Sequence, residues 1–333
     1  LPKNSRWAKR AEPLLFSVSI QMMTLPMVEY FYSEIPLYAV LLNLIVIPLM
    51  TVVMFTGILA VGISFGLPGL ARVPAFLCGV ILEFYERLGT VSLGLPGAVF
   101  TCGQPKFRQI AGYYIGLVVF LLRCYQMKER KKRRLGQISD PDSSQEETER
   151  EDPHRRIRRA GSAAGLGFLI LFLTLRLHSG LQLVMLDVGQ GDGIYLRTAA
   201  GTTVLIDSGS TSVTKVGTYR ILPFLKAEGV GKLDYIVVTH TDEDHISGIK
   251  ELLEAAVEPG GLRIGTLLLS GCSLEEEKGQ QLMEKARESG VAVRKIEKGA
   301  VLRDSLTELT CLHPDGTQSY ADVNEASVVL ALR

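Results

Sequence analysis

The sequence lacks an initiating methionine, and no basic n-region, apolar h-region and cleavage site can be read at its start. Its five cysteines, Cys78, Cys102, Cys124, Cys272 and Cys311, share no C-x-x-C spacing, which excludes a cysteine-built zinc site. Cys272 and Cys311 lie in the polar half and read as two unrelated buried thiols; pairing in an oxidising compartment is the alternative. Net charge is +1, so the chain has no global electrostatic footprint for nucleic acid and only local runs carry a charge argument. No aromatic stacking platform for single strands can be read either. What is present is a mixture. The 333 residues are 47% hydrophobic with 21% charged, too apolar for an ordinary soluble domain and too charged for a pure membrane bundle. The composition shifts near residue 180. Both ends read as cuts within a longer protein, since the strand-like run 327–332 stands directly before the last residue, Arg333.

Before the shift, long apolar runs dominate. Pro13 to Val28 is 16 residues without a charge, and Ile35 to Ala71 is 37. The second far exceeds one span of roughly 20 residues. Its Asn43, Pro48, Gly57, Gly62, Gly66 and Pro68 predict a break or re-entrant element beside a span. Val73 to Val99 is apolar but carries Glu83, Glu86 and Arg87, which share one face of a helix. That face belongs to a bundle interior or to an amphipathic surface helix, and the sequence leaves both open. Ile110 to Leu122 and Ala160 to Leu175 are further uncharged stretches.

Between those last two, residues 123–159 hold twelve Lys or Arg, including the run from Arg130 to Arg134. Such a loop stays cytoplasmic under the positive-inside rule. Its basic clusters need only anionic lipid as a partner; DNA binding is the weaker reading. The acidic, Ser-rich middle reads as disordered. Four crossings precede the loop on this reading. One more span then carries the chain outward, so everything after His178 is expected to be extracytoplasmic.

From Leu181 the pattern becomes strand and helix in alternation, which predicts an α/β layered fold. Leu181–Val188, Ile194–Thr198, Thr203–Ile206, Leu233–Thr239, Thr266–Leu269 and Val291–Lys295 read as strands, and Thr218–Glu228 and Glu275–Ser289 as helices. The chemistry concentrates in His240-Thr-Asp-Glu-Asp-His245, at the end of a strand and the start of a helix. Neutral imidazole and carboxylate both ligate divalent ions. Two carboxylates among four ligands make the set oxygen-rich, which favours Mn²⁺ or Mg²⁺ over Zn²⁺. A divalent ion held there activates water, and two ions clamp a phosphodiester. A polar helix-capping turn is the plainer alternative.

The hexapeptide resembles the H-x-H-x-D-H signature of the metallo-β-lactamase superfamily, with Asp242 in place of the second His. Leu205-Ile-Asp-Ser-Gly209 looks like that superfamily's early Asp-x-Gly element. Leu186-Asp-Val-Gly-Gln-Gly-Asp192, Leu312-His-Pro314 and Asn324-Glu-Ala-Ser-Val-Val-Leu330 are similar to the ComEC family of DNA-uptake channel proteins, as is Leu41-Leu-Asn-Leu-Ile-Val-Ile-Pro-Leu49 in the membrane half. The resemblance implies a membrane α-helical bundle followed by an αββα-type metallo-β-lactamase-like domain. The organisation it implies is a channel region over 1–123, a cytoplasmic loop over 124–159, a transmembrane helix over 160–178 and the hydrolase domain over 181–333. His240, Asp242, Asp244, His245 and His313 would be metal ligands. Asp244 would also be the catalytic carboxylate, and Asp207 an orienting one behind the ligands. Asp187, Gln190 and Asp192 would line the site. The family is further expected to carry a metal-bridging Asp and a later His beyond Arg333.

The resulting expectation is a multi-pass protein of the cytoplasmic membrane. An extracytoplasmic metal-dependent nuclease domain, with two divalent ions and Mn²⁺ favoured, degrades one DNA strand while the other crosses the bundle. DNA, membrane lipids and other DNA-uptake proteins are the partners implied. A transporter with an inactive hydrolase domain, and a membrane-tethered hydrolase of a small molecule or lipid, are the alternatives. Lys215, Arg220, Lys226 and Lys232 could track phosphates, although a solvated surface is their default reading.

Overall fold

The computed structural model describes residues 6–137, 154–322 and 324–333. The apolar runs become helices α1 (Arg6–Tyr32), α2 (Ala39–Ser64), α3 (Pro68–Leu93) and α4 (Phe107–Gln137). Among the described residues four helices are long and apolar enough to cross a membrane, and α5 (His154–Thr174) contains a shorter apolar stretch. The 37-residue run is broken once, at 65–67, where Pro68 opens α3 at a position that needs no N–H donor. Pro48 lies inside α2 without ending it. Glu83 and Arg87 form an ion pair at 2.6 Å on α3, with both side chains exposed. The α4 helix runs on through the first basic cluster. The acidic middle of the loop, residues 138–153, lies outside the described residues.

A short antiparallel ribbon, β1 (Glu34–Pro36) with β2 (Val99–Thr101), ties the α1–α2 link to the α3–α4 link. Leu25, Tyr113, Leu117, Leu169 and Leu173 pack α1, α4 and α5 together, and the Tyr113 hydroxyl donates to the Met22 carbonyl at 2.8 Å.

The second half is built on a six-stranded sheet in sequential order: β3 (Gln182–Met185), β4 (Ile194–Arg197), β5 (Thr203–Ile206), β6 (Lys232–Val237), β7 (Arg263–Leu269) and β8 (Ala292–Lys295). The first three strands pair antiparallel, and β5 to β8 run parallel. A three-stranded antiparallel sheet, β9 (Val301–Arg303), β10 (Glu308–His313) and β11 (Val329–Leu332), packs on one face. A π-helical turn (Gly217–Ile221), α6 (Leu222–Ala227), α7 (Glu243–Val257), α8 (Gly271–Glu275) and α9 (Glu277–Glu288) complete the half. The helix read over 275–289 is α9, and the short α8 precedes it.

Strand alternation explains why the central strands are apolar on successive residues. Leu205, Ile236 and Leu267 point into the core under the helices, against Ile246, Ile249, Leu252 and Leu282. Their neighbours Val204, Val237 and Leu268 point the other way, against Leu309, Cys311 and Val328 of the second sheet. Among the described residues the layers therefore run helix, sheet, sheet. All five cysteines are free thiols, and Cys311 lies buried between the sheets.

Asp234 staples β6 to β5 by accepting from Thr203 N (3.0 Å) and Thr203 Oγ1 (3.1 Å), and it pairs with Lys232. Burial works to raise its pKa, but the hydrogen bonds from Lys232 and Thr203 outweigh that and hold it below the ordinary carboxylate range. A depressed folded-state pKa gives stability that is complete above the unfolded value of about 3.9 and is lost as pH falls through the folded value. Asp234→Asn is expected to flatten the acid limb of the thermal-unfolding profile below about pH 4. An unchanged limb in the full-length protein would remove Asp234 from that role.

The two halves meet through Lys226 and Glu34, paired at 2.9 Å, and through Gln104 N, which donates to the Ala227 carbonyl at 2.8 Å. A cleft of about 810 Å³ opens at this junction, between the end of α3, β2 and the N-terminal strand ends at Thr203, Lys232 and Arg263. The histidine turn lies beyond the opposite end of β6, whose six residues span about 20 Å.

Candidate metal centre

Strands β5 and β6 end side by side, and the connections after their C-terminal ends hold the hexapeptide and its partners. Ligand sites collect at this end of a parallel sheet because the loops there diverge. After Val237 the chain runs through Thr239 and His240, and α7 begins at Glu243 with Asp242 as its N-cap residue. The turn is locked from below by two glycines. A Cβ on Gly209 would lie 2.3 Å from both Asp244 C and His245 N, and one on Gly191 would lie 2.2 Å from the Gly209 carbonyl oxygen. Only bare backbone lets the loops after β3 and β5 approach this closely. Asp192 N donates to the Asp244 carbonyl at 3.1 Å, and Ser208 N to the His245 carbonyl at 2.9 Å.

Asp207 is the buried organiser, at 3% exposure. It adopts a left-handed φ of 53°, which Asp tolerates better than most residues. Its Oδ1 accepts from Thr239 N at 2.8 Å. Its Oδ2 accepts from Thr239 Oγ1 at 2.6 Å and faces His245 Nδ1 at 2.9 Å. A carboxylate there requires the proton on His245 Nδ1, leaving Nε2 with a free lone pair.

His240 is set in the same way. Its Nδ1 lies 3.1 Å from Thr239 Oγ1, whose proton is committed to Asp207. Ser327 Oγ lies 3.5 Å away and donates to the Asn324 carbonyl instead. Both oxygens can therefore only accept from His240, so its Nε2 is free as well. The two rings stand with centroids 3.8 Å apart.

Carboxylates surround the two free nitrogens. His240 Nε2 lies 3.7 Å from Asp242 Oδ2. His245 Nε2 lies 3.7 Å from Asp244 Oδ2 and 3.6 Å from Asp192 Oδ2. Two donors each about 2.1 Å from one tetrahedral ion stand about 3.4 Å apart. The pairs are therefore a few tenths of an ångström wider than a shared ion needs. Among the described residues no three His, Cys, Asp or Glu side chains converge closely enough to hold an ion as they stand. The donor chemistry and the pairwise spacing nevertheless fit a divalent cation once the pairs draw together slightly.

The local charge leaves its mark on proton affinity. Burial works to lower the His245 pKa, but the hydrogen bond to Asp207 and the charges of Asp207, Asp244 and Asp192 raise it above the ordinary imidazole value. Asp242 is held below the ordinary carboxylate range, chiefly by a hydrogen bond from Lys278 at 3.0 Å.

Not every expected residue joins the cluster. His313 has its Nε2 against the Glu325 carbonyl at 2.7 Å and its ring edge-on to Tyr320; its recorded polar contacts do not reach the hexapeptide. Asp187 turns outward to Arg220 at 3.0 Å. Gln190 contributes backbone, its N donating to Ser212 Oγ and its carbonyl accepting from Thr211 N. Two close partners of the site are absent from the sequence reading. Thr239, which bridges Asp207 and both imidazoles, had the signal of adjacency to His240. Lys278, far along the chain, had none.

Comparison with known proteins supports both halves. Residues 1–127 match the Competence protein family, and residues 186–275 match the metallo-beta-lactamase superfamily. One chain thus carries a Competence match in its first half and a metallo-β-lactamase match in its second. Across 95% of its length it is 23% identical to ComE operon protein 3 of Bacillus subtilis (strain 168), and it spans 38% of that protein. Over 24% of its length it is 35% identical to Competence protein ComA of Neisseria gonorrhoeae, spanning 11% of that protein. Among solved structures, MEM-A1, a subclass B3 metallo-beta-lactamase from a soil metagenome, matches at 18% identity and TM-score 0.31, covering 48% of this chain and 56% of its own. A diphosphatase of the PhnP family matches at 21% identity and TM-score 0.24, covering 36% and 42%. The His240–His245 turn falls within the metallo-β-lactamase match, whereas His313 lies beyond it.

Proposed function

We propose that this chain is the membrane and hydrolase portion of a DNA-uptake protein. In this reading the competence domain forms the channel over 1–123, and the loop over 124–159 faces the cytoplasm. The span over 160–178 carries the metallo-β-lactamase domain, 181–333, to the outer side of the cytoplasmic membrane. That domain hydrolyses phosphodiesters of incoming DNA, so that one strand is degraded and the other passes inward. The observation that carries the reading is the pairing, in one chain, of a competence domain with two imidazoles whose free Nε2 atoms are ringed by Asp192, Asp242 and Asp244.

His240, Asp242, Asp244 and His245 would hold the divalent ions, Mn²⁺ first given the oxygen-rich set. His313 would join them on release from Glu325. Bound there, the ions supply Lewis acidity that activates water and stabilises charge on the phosphate oxygens. The chain's own side chains do the rest. Asp207 and Thr239 hold both imidazoles in the ligating tautomer. Asp244 orients the attacking water and takes its proton. Asp192 shapes the mouth of the site.

Purified full-length protein is expected to cleave linear double-stranded DNA with Mn²⁺ and to stop when the metal is chelated. Metal binding without DNA cleavage would instead favour a guiding role for the domain or a different substrate.

A further inference from the structure

Helix α9 starts directly against the histidine turn. The Glu276 carboxylate, at its N-cap, accepts from the buried Thr241 hydroxyl. Two residues on, Lys278 Nζ donates to Asp242 Oδ1 at 3.0 Å. Gly279 packs against the backbone of Ser273 beside Thr241, where a side chain would collide with the Ser273 carbonyl. The first turn of α9 is thus bolted to residues 241 and 242, and its lysine is carried to the rim of the candidate metal centre. Asp242 Oδ1 holds that lysine, while Asp242 Oδ2 faces His240 Nε2 at 3.7 Å. The ammonium therefore stands one carboxylate away from the free imidazole nitrogen.

Before any ion binds, the rim is anionic: Asp192, Asp242 and Asp244 present three carboxylates around two imidazoles, and a cation beside them favours an approaching phosphate. The Lys278 side chain remains half exposed, at 48%. An ammonium has three donors, and the structure records one in use, on Asp242.

We infer that Lys278 is the phosphodiester contact of this site: its ammonium, held over the metal motif by Asp242, binds a non-bridging oxygen of the nucleic-acid backbone beside the reacting phosphate. This rests on the hydrolase reading above and deepens it, assigning substrate binding to a residue outside the hexapeptide. Lys278 takes part in no bond making or breaking. It positions the strand, and its charge offsets that of Asp242 so that the anionic substrate can approach.

Two measurements on the full-length protein test this. The first is acylation of lysines by an amine-reactive reagent, read by mass spectrometry at Lys278 and at Lys285, without metal, with and without a linear DNA duplex. Lys285 lies on the same helix and pairs with Glu254, so it reports general effects. DNA is expected to slow modification of Lys278 several-fold more than that of Lys285; equal slowing overturns the proposal. The second is steady-state cleavage with Mn²⁺. Lys278→Gln is expected to raise KM about tenfold with kcat nearly kept, as loss of one charge-assisted contact does. Lys278→Arg is expected to retain most of the affinity, and Lys285→Gln to behave as wild type. A Lys278→Gln variant that loses kcat at unchanged KM would make the lysine a structural partner of Asp242 and overturn the assignment. If wild-type protein cleaves nothing, the hydrolase reading fails, while the protection experiment still decides whether Lys278 meets DNA.

Discussion

Asp244→Ala in the full-length protein is expected to lower Mn²⁺-dependent DNA cleavage by about 10²–10⁴-fold, the contribution of a positioned proton acceptor, while membrane insertion is unchanged. The side chain is 39% exposed, and its Oδ2 stands 3.7 Å from the free Nε2 of His245. What holds the turn together at this position is backbone. The Asp244 carbonyl accepts from Asp192 N, and the loop through Gly209 lies directly against Asp244 C. Alanine keeps every one of those contacts. The substitution therefore removes a carboxylate from the chemistry at a stability cost within about 0.5 kcal/mol, as for other half-exposed positions. Parallel assays of cleavage, membrane fraction and thermal unfolding separate the two effects. Cleavage at the wild-type rate by an inserted, folded Asp244→Ala protein would remove this residue from the site.

Asp207→Asn is expected to act through a different quantity, the affinity for metal. Asp207 is buried and accepts three hydrogen bonds, from Thr239 N, Thr239 Oγ1 and His245 Nδ1. An asparagine has the same shape but one acceptor oxygen. With that oxygen left on Thr239 N, its amide N–H groups would face a hydroxyl donor and an imidazole donor. Relief requires the Thr239 hydroxyl to rotate and His245 to move its proton to Nε2, the atom a metal needs. Because Thr239 also faces His240 Nδ1 at 3.1 Å, the disturbance reaches both imidazoles. Mn²⁺ affinity, by titration calorimetry, is expected to fall 10–100-fold, roughly the cost of losing an orienting partner. The unpaired buried donors are expected to cost about 1–3 kcal/mol of stability. Unchanged Mn²⁺ affinity in a folded Asp207→Asn protein would mean that this carboxylate does not set the tautomers.

Much of the architecture was legible because it follows from local pattern. The uncharged runs predicted membrane helices, and a break within the 37-residue run, found at 65–67, followed from its Gly and Pro content. Strand β6 read as a strand of buried type, and both of its faces meet a core, Ile236 on one side and Val237 on the other. The hexapeptide stood out because two of five histidines and two aspartates fall within six residues at a strand–helix boundary. Boundaries were less legible. The helix read from 275 to 289 runs from Glu277 to Glu288, and the short α8 that ends at Glu275, one extended residue earlier, was not read at all. The extended residue between them, Glu276, accepts from the Thr241 hydroxyl, a contact 35 residues apart in sequence.

The sequence by itself determined the division into an apolar and a polar half, the positions of the long apolar helices, and the His-x-Asp-x-Asp-His turn, because hydrophobic period and residue chemistry are local properties. Tertiary structure decided which groups meet there. It brought Asp192 from the loop after β3 to His245 and set Asp207 beneath the turn. It also placed Lys278, 36 residues after Asp242, on that residue's carboxylate, and turned His313 toward Glu325. The contacts of Asp192 and Lys278 are framed by packed backbones at Gly191, Gly209 and Gly279, where the absence of a Cβ lets separate segments close on one another. Such closeness depends on the whole sheet and its flanking helices, and no window of sequence encodes it.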